Sequence, residues 1–154
     1  MTRLLVSARI EAIRFWRSNA ALLDSRGDWW LVTSKGLYRY SGLNRIEDLD
    51  NRQPAAVYAD KNGLIANENC TVFEDSHGDL WIGSDITSKR MGLARWQRAT
   101  NTFQHFFTKD GLPPVAYFSA FAEDKAGNLW FGFGAGGQGG LSRLHNGSFT
   151  SSIS

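Results

Sequence analysis

The feature that most constrains the fold of this chain is a pattern of seven residues, Asp-x-x-Gly-x-x-Trp, which occurs three times. The copies span residues 24–30, 75–81 and 124–130, and their tryptophans lie 51 and 49 positions apart. A Gly-Leu pair follows each copy and opens a second short apolar run, in which an arginine comes two residues after the leucine. Repetition at a period of about 20–50 residues is typical of solenoids, propellers and repeat arrays.

The residue types of the pattern predict a tight turn between two strands. A type I turn favours aspartate at its first position and glycine at its fourth, and the aspartate side chain can accept hydrogen bonds from backbone N–H groups in the turn. The run that follows is short, apolar and aromatic, as expected of a strand buried on both faces. We therefore interpret the motif residues as turn and core positions without catalytic roles: Asp24, Gly27, Trp30, Asp75, Gly78, Trp81, Asp124, Gly127 and Trp130.

Each copy of the pattern can be extended to four strands. The predicted strands are Ala20–Leu23, Trp29–Thr33, Leu37–Tyr40 and Ala56–Tyr58, then Thr71–Glu74, Leu80–Gly83, Leu93–Gln97 and Phe103–Phe107, and finally Phe118–Glu123, Leu129–Phe133, Leu141–Leu144 and Ser148–Ser151. Four strands in about 40–50 residues, repeated, is the signature of propeller blades. A β-sandwich of twelve strands is the alternative, but it gives no reason for one turn to recur at one spacing. The sequence therefore predicts an all-β chain of three four-stranded antiparallel propeller blades, at residues 19–60, 61–109 and 110–154.

The repeats resemble the two-component regulator propeller repeats found in periplasmic sensor regions of bacterial hybrid histidine kinases. The resemblance rests on Gly-Leu-Pro at 111–113, Glu-Asp at 123–124, Gly-Asn-Leu-Trp-Phe-Gly at 127–132 and Gly-Leu-Ser-Arg at 140–143, with a second copy at 63–64, 74–75 and 78–83. The first copy departs from the pattern, since Leu23 replaces the glutamate and Leu31-Val32 replaces Ile-Gly. The resemblance implies a periplasmic, ligand-sensing propeller segment of a signal-transduction protein that is not itself catalytic. No kinase residues are present in this sequence.

Three blades are fewer than the typical four to eight that close a propeller. We therefore expect either a segment of a longer chain or a ring completed by several copies, since closed symmetry permits two chains to supply six blades. Residues 1–18 are ambiguous between outer strands of a truncated blade and a short helix. They contain no uninterrupted apolar run of a secretory leader, which favours a cytoplasmic location or an internal position in a longer chain.

Insertions distinguish the two ends of the predicted blades. The spacing from the motif tryptophan to the Gly-Leu pair is 6 residues in the first copy but 11 and 10 in the second and third. Alternate connections of an up-and-down blade lie on opposite faces, so both insertions share a face with the links between blades. Insertions in repeats often mark the binding face. The predicted polar contacts to an unknown small molecule or glycan are Asp85, Lys89, Arg90, Tyr117 and Gln138, with ordinary solvated loop residues as the alternative interpretation.

Other chemistries find little support in the sequence. Lys and Arg are scattered at a net charge of +2, which argues against nucleic acid, and no apolar run is long enough to span a membrane. The Gly-x-Gly-x-x-Gly spelling at 132–137 is not followed by a helix, so no nucleotide cofactor is expected. His77, His105 and His145 fall in separate parts of the repeats, and with a single cysteine we expect no metal site. A streptogramin-lyase-like enzyme and a scaffold for protein partners remain as alternative functions.

Overall fold

The computed structural model describes residues 21–33, 35–65, 71–84, 92–114, 117–135 and 138–153. Within these ranges the regular structure consists of β-strands and three short 3-10 turns. None of the described residues forms a helix that is long and apolar enough to cross a membrane. The predicted lead-in at 1–18 lies outside the described residues.

Twelve described strands form three four-stranded antiparallel sheets, in agreement with the predicted fold class. Each sheet follows chain order, so each is an up-and-down blade. Blade 1 contains β1 (Ala21–Leu23), β2 (Trp29–Thr33), β3 (Gly36–Tyr40) and β4 (Ala56–Tyr58); blade 2 contains β5 (Thr71–Glu74), β6 (Leu80–Gly83), β7 (Leu93–Gln97) and β8 (Thr102–Phe106); blade 3 contains β9 (Tyr117–Glu123), β10 (Leu129–Ala135), β11 (Gln138–His145) and β12 (Ser148–Ile153).

The strands of blade 3 are longer than the sequence predicts. The glycine-rich stretch after Phe133 was expected to be an inserted loop, but Gly134 pairs with Gly139 and Ala135 pairs with Gln138. The expectation of a loop was wrong because glycine and alanine, which lack bulky side chains, still supply the backbone groups of a ladder. The β10–β11 hairpin therefore continues the sheet of blade 3 as far as Ala135 and Gln138.

The core lies between the blades and follows the alternation of the strands. One face of blade 1 packs Trp30, Val32 and Leu37 against blade 2, where Ile82 and Trp96 meet them. The same face of blade 2 then packs against blade 3. The buried members of that second interface are Trp81, Leu93, Leu112, Phe118, Leu129, Phe131 and Phe133. Blades 1 and 2 therefore each present their motif tryptophan to the blade that follows, as stacked propeller sheets require.

The opposite face of blade 1 is covered by the chain itself. The long connection between β3 and β4 contains a 3-10 turn at Ile46–Asn51. Leu43 and Leu49 of this connection are buried against Leu31 and Tyr40. We call this connection the cap segment (residues 43–51), and it is not among the predicted elements.

The glycine of each Gly-Leu pair is required by a close approach between strands. A Cβ built on Gly36, Gly92 or Gly140 would lie 2.1, 2.5 or 2.2 Å from a carbonyl oxygen at the end of that blade's outer strand. No side chain fits in this space, so the connection from the second to the third strand crosses directly beside the outer strand. This contact places those connections and the ends of the outer strands on one face of the blades.

Gly140→Ala should therefore destabilise the chain by roughly 2 kcal/mol, the usual cost of an overpacked site. Its added methyl group would meet both Ser152 O, at 2.2 Å, and the Phe133 ring, at 2.6 Å. The neighbouring Gly139→Ala is a matched control, because its nearest neighbour lies at an ordinary 3.5 Å. Urea denaturation of both variants checks this, and equal losses would contradict it.

Candidate functional site

The Asp-x-x-Gly turns lie at one end of the strands in all three blades. We call the surface that these turns form the turn face. In each turn the Oδ1 atom of the aspartate accepts two backbone N–H groups, two and four residues further on, at 2.9–3.0 Å. Its Oδ2 atom accepts the indole N–H of the motif tryptophan at 2.9 Å in all three copies. One carboxylate therefore accepts hydrogen bonds both from the turn and from the core tryptophan six residues further on, and so joins the turn to the core.

The repeated arginine completes this arrangement. Arg95 donates through Nε to Asp79 Oδ2 at 2.9 Å and lies 5.6 Å from the centre of the Trp81 ring. Arg39 makes the equivalent contacts to Asp28 and Trp30. Such a paired and stacked arginine combines a charge-assisted hydrogen bond with a cation–π contact.

Successive turns are joined by a serine–glutamate contact that spans two blades. Ser25 of blade 1 donates its backbone N–H and its hydroxyl to Glu74 of blade 2, each at 2.7 Å. Ser76 of blade 2 donates in the same way to Glu123 of blade 3, at 2.7 and 2.6 Å. We call this pair of hydrogen bonds the Ser–Glu latch. It explains the glutamate that precedes the aspartate of the second and third copies.

Arg98 reinforces the first of these latches. Its Nη2 atom donates to Asp24 Oδ2 at 2.8 Å and to Glu74 Oε1 at 3.2 Å, and its Nε atom donates to the Gly78 carbonyl at 2.5 Å. The side chain is only 7% exposed. A buried guanidinium with two carboxylates and a carbonyl ties blades 1 and 2 together.

The hydrogen bonds of the turn face also predict how stability depends on pH. Burial acts to raise the pKa of Asp24, but hydrogen bonds from Trp30, Arg98 and the backbone outweigh it and leave the pKa below its usual value. Hydrogen bonds from Trp130 and Asn128 hold the pKa of Asp124 well below its usual range. A carboxylate with a depressed folded pKa stabilises the fold above its unfolded pKa of about 4, and that stability is lost as the pH falls.

The urea concentration at the unfolding midpoint should therefore decrease when the pH is lowered below about 4. It should decrease less steeply in Asp124→Asn, which lacks this carboxylate. The same pH dependence in the variant and in the unmodified chain would contradict this prediction.

The second-to-third-strand connections and the links between blades form the other face, which we call the loop face. Ser84 and Gly92 close the base of the inserted loop of blade 2, since the Gly92 N–H donates to Ser84 Oγ at 2.8 Å and the Ser84 N–H donates to the Gly92 carbonyl at 3.2 Å. The Phe118 N–H of blade 3 donates to the Ser84 carbonyl at 3.3 Å. The base of this loop is therefore fixed against the start of β9.

Tyr117 lies beside that base, at the first position of β9. It pairs across the sheet with Gly134, and a Cβ on Gly134 would lie 2.5 Å from the Tyr117 hydroxyl oxygen. The tyrosine ring therefore lies against Gly134, near the end of β10, and it can do so only because position 134 has no side chain. Tyr117 is half-buried. The structure thus brings Tyr117, the base of the blade 2 loop and the hairpin together on the loop face.

The links between blades dock on the same face in a repeated way. The Gly63 carbonyl bonds the His105 ring at 2.6 Å, and the Gly111 carbonyl accepts the Ser151 hydroxyl at 3.2 Å. His105 and Ser151 occupy equivalent positions on the outer strands β8 and β12. Each link is therefore fixed to the outer strand of the blade that follows it in the chain. These contacts fix the base of the loop face.

The remaining predicted contacts fall where the structure says less. Asp85, Lys89 and Arg90 lie outside the described residues, between the two fixed ends of the blade 2 loop. Gln138 begins β11, at the tip of the hairpin, and only its backbone is described. Their role in binding stays a prediction.

The three histidines lie apart in the structure, as their places in the repeat suggest. His77 is an exposed residue of a turn, His105 bonds the Gly63 link, and His145 bonds the Asn128 side chain on the turn face. Within the described ranges, no group of three or more His, Cys, Asp or Glu residues is arranged to hold a metal ion.

Comparison with known families bears directly on this architecture. The family model described as two component regulator propeller matches residues 63–85 and 111–134. These two segments are similar to the two-component regulator propeller repeat. Each matched segment runs from the link glycine through the first two strands of a blade, so it includes the motif turn of blades 2 and 3. No curated protein shows significant sequence similarity to the chain.

Solved propeller structures share the fold. The extracellular domain of BT3049, assigned to a hybrid two component system of B. thetaiotaomicron, is 24% identical with a TM-score of 0.66 over 87% of this chain and 16% of that one. Two structures of the extracellular domain of BT4673 from the same bacterium are 19% and 17% identical, with TM-scores of 0.63 and 0.61 over 87% and 88% of this chain. The chain covers only 16–18% of the length of these structures. They show that the four-stranded blades of this chain have the same fold as part of these extracellular domains.

Proposed function

We propose that this chain is a ligand-sensing propeller segment of a bacterial signal-transduction protein, and that it binds its ligand on the loop face. The observation that carries the proposal is that the base of the blade 2 loop, at Ser84 and Gly92, lies beside Tyr117 and the β10–β11 hairpin. Binding residues commonly lie on loops that a rigid scaffold positions. The sensor-type fold of the similar extracellular domains supports this role.

We propose that the segment is not catalytic. The three motif aspartates are the first candidates for catalytic carboxylates, because they recur in every copy of the motif. Each of them already accepts three or more hydrogen bonds from its own turn and tryptophan. Such a carboxylate is engaged in holding the fold and is a poor general base. The likeness to extracellular domains supports a periplasmic or extracellular location for this segment.

A thermal-shift screen with a panel of glycans and small metabolites tests the proposal. A ligand at about 100 times its dissociation constant stabilises the folded state by about 2.7 kcal/mol, which is a clear shift of the melting temperature. We expect at least one such compound, and we expect the double variant Lys89→Ala, Arg90→Ala to lose the shift.

Lys125→Ala is the matched control, because Lys125 is an exposed lysine on the turn face. It should leave the shift unchanged. A shift that survives the double variant, or one that Lys125→Ala removes, contradicts a binding site on the loop face. A pull-down partner without any small-molecule shift would favour the scaffold function instead.

A further inference from the structure

The chain contains two Asn-Gly pairs, Asn62-Gly63 and Asn146-Gly147, and the structure holds them in different ways. Such a pair can undergo a reaction of its own, because glycine has no side chain to hinder the approach of its backbone nitrogen to the preceding side-chain amide. Both asparagines are exposed. Exposure alone therefore does not decide which of the two can react.

The reaction closes a ring within the pair. The backbone nitrogen of the glycine loses its proton and forms a bond to Cγ of the asparagine, while the side-chain nitrogen takes up a proton and leaves as ammonia. Water then opens the resulting five-membered succinimide at either of its two carbonyl carbons, which leaves an aspartate or an isoaspartate. A hydrogen bond from the glycine N–H opposes the first step, since that bond must be broken before the nitrogen can move.

The Asn62-Gly63 pair is fixed in the link between blades 1 and 2. The Gly63 N–H donates to the Asp60 carbonyl at 3.0 Å, and the Gly63 carbonyl bonds the His105 ring at 2.6 Å. The Asn62 Oδ1 atom accepts the Ala59 N–H at 3.3 Å. Ring closure at this pair would first have to break these bonds.

The Asn146-Gly147 pair forms the exposed two-residue turn between β11 and β12. The strands close on it with His145 opposite Ser148, and Asn146 and Gly147 have φ angles of 48° and 77°. The Asn146 amide nitrogen lies 3.0 Å from the His145 Nε2 atom, so this contact engages the nitrogen that leaves and not the one that attacks. No described residue accepts a hydrogen bond from the Gly147 N–H. The first step of the reaction is therefore not opposed at this turn.

We propose that Asn146 is a site of spontaneous deamidation in the folded chain and that Asn62 is protected from the same reaction. The two sites share their residue types and their exposure, and they differ in the hydrogen bonds of the glycine backbone. This inference goes beyond the proposed function and does not depend on it.

The isoaspartate product would alter the outer strand of blade 3. Its main chain passes through Cβ and Cγ, so the turn is lengthened, and turn length fixes the register of the two strands that a turn joins. Phe149 of β12 follows this turn closely and packs against Phe106 and Phe131 at centroid distances of 5.2 and 5.9 Å. Formation of isoaspartate at position 146 should therefore loosen the start of β12.

Peptide mapping by mass spectrometry tests the inference. The folded chain is incubated in mildly alkaline buffer, digested with pepsin in acid and analysed for the mass increase that accompanies replacement of the amide by a carboxyl group. Asn146 should convert about tenfold or more faster than Asn62, because the Asn62 site must open locally before it reacts. The same incubation in denaturing guanidinium chloride is the control, and there the two sites should convert at similar rates.

Hydrogen exchange tests the consequence for β12. The isoaspartate fraction should exchange faster at residues 148–150 than the fresh chain, whereas Asn146→Asp, which keeps an ordinary backbone, should not. Equal conversion of Asn62 and Asn146 in the folded chain overturns the inference, as does conversion of Asn146 that is detected only in the denatured chain. Unchanged exchange at residues 148–150 in the isoaspartate fraction overturns the expected loosening of the strand.

Discussion

Asp75→Ala should lower the free energy of unfolding by roughly 3–5 kcal/mol, since it leaves three donors without their acceptor and each buried unsatisfied group costs about 1–3 kcal/mol. The donors are the backbone N–H groups of His77 and Asp79 and the indole N–H of Trp81. The carboxylate is 4% exposed, so water cannot easily replace it. Urea denaturation followed by circular dichroism gives the loss.

Asp124→Ala is the matched control for this variant. Asp124 makes the same contacts in blade 3, but it and Trp130 are partly exposed, so water can serve the donors. We expect a smaller loss than for Asp75→Ala. We expect burial between blades, and not the turn alone, to determine how much the motif aspartate contributes to the free energy of unfolding. An equal or larger loss at Asp124 would contradict this.

Trp81→Ala should cost roughly 3–5 kcal/mol, the range found for truncation of large aromatic core residues. The ring is fully buried between blades 2 and 3 and contacts Phe106 and Phe131 at centroid distances of 5.5 and 5.2 Å. Its removal opens a cavity at the centre of the second interface and also leaves the Asp75 Oδ2 atom without its donor.

Trp130→Ala provides the comparison, because Trp130 is the same motif residue but is only half-buried within the described residues. We expect a clearly smaller loss, measured by the same urea titration. Comparable losses at Trp81 and Trp130 would contradict the expectation that burial between blades determines how much the motif tryptophan stabilises the fold.

The local parts of this fold follow from the sequence because they depend on neighbouring residues. The Asp-x-x-Gly turn and the strands on either side of it are determined by turn chemistry and short apolar runs, and β2, β5, β6 and β7 have the predicted bounds. The hairpin at Gly134 was mistaken for a loop because glycine carries no side-chain periodicity from which a strand can be recognised.

The contacts between blades were less accessible to sequence reasoning. The bond from the motif tryptophan to its aspartate could have been found from their constant spacing of six residues. The Ser–Glu latch also has a signal, since Ser25 and Ser76 each stand one residue after a motif aspartate and Glu74 and Glu123 stand one residue before the next. Arg98 and the cap segment occur in single blades, so no repetition marks them, and their roles depend on long-range packing.

The sequence predicted the face on which Tyr117 lies but not what that side chain contacts. The lengths of the insertions and the alternation of connections placed Tyr117 on the face that the structure shows it to occupy. The close contact of its hydroxyl with position 134 was not predictable, because it depends on the register between β9 and β10.

We propose that the turn face holds the blades together while the loop face binds the ligand. Hydrogen–deuterium exchange of the chain, with and without a saturating compound found in the thermal-shift screen, distinguishes these two roles. The compound should protect residues 84–92 and the β10–β11 hairpin and leave the turns at 24–28, 75–79 and 124–128 unchanged. Protection confined to those turns, with no change at the loop face, would contradict it.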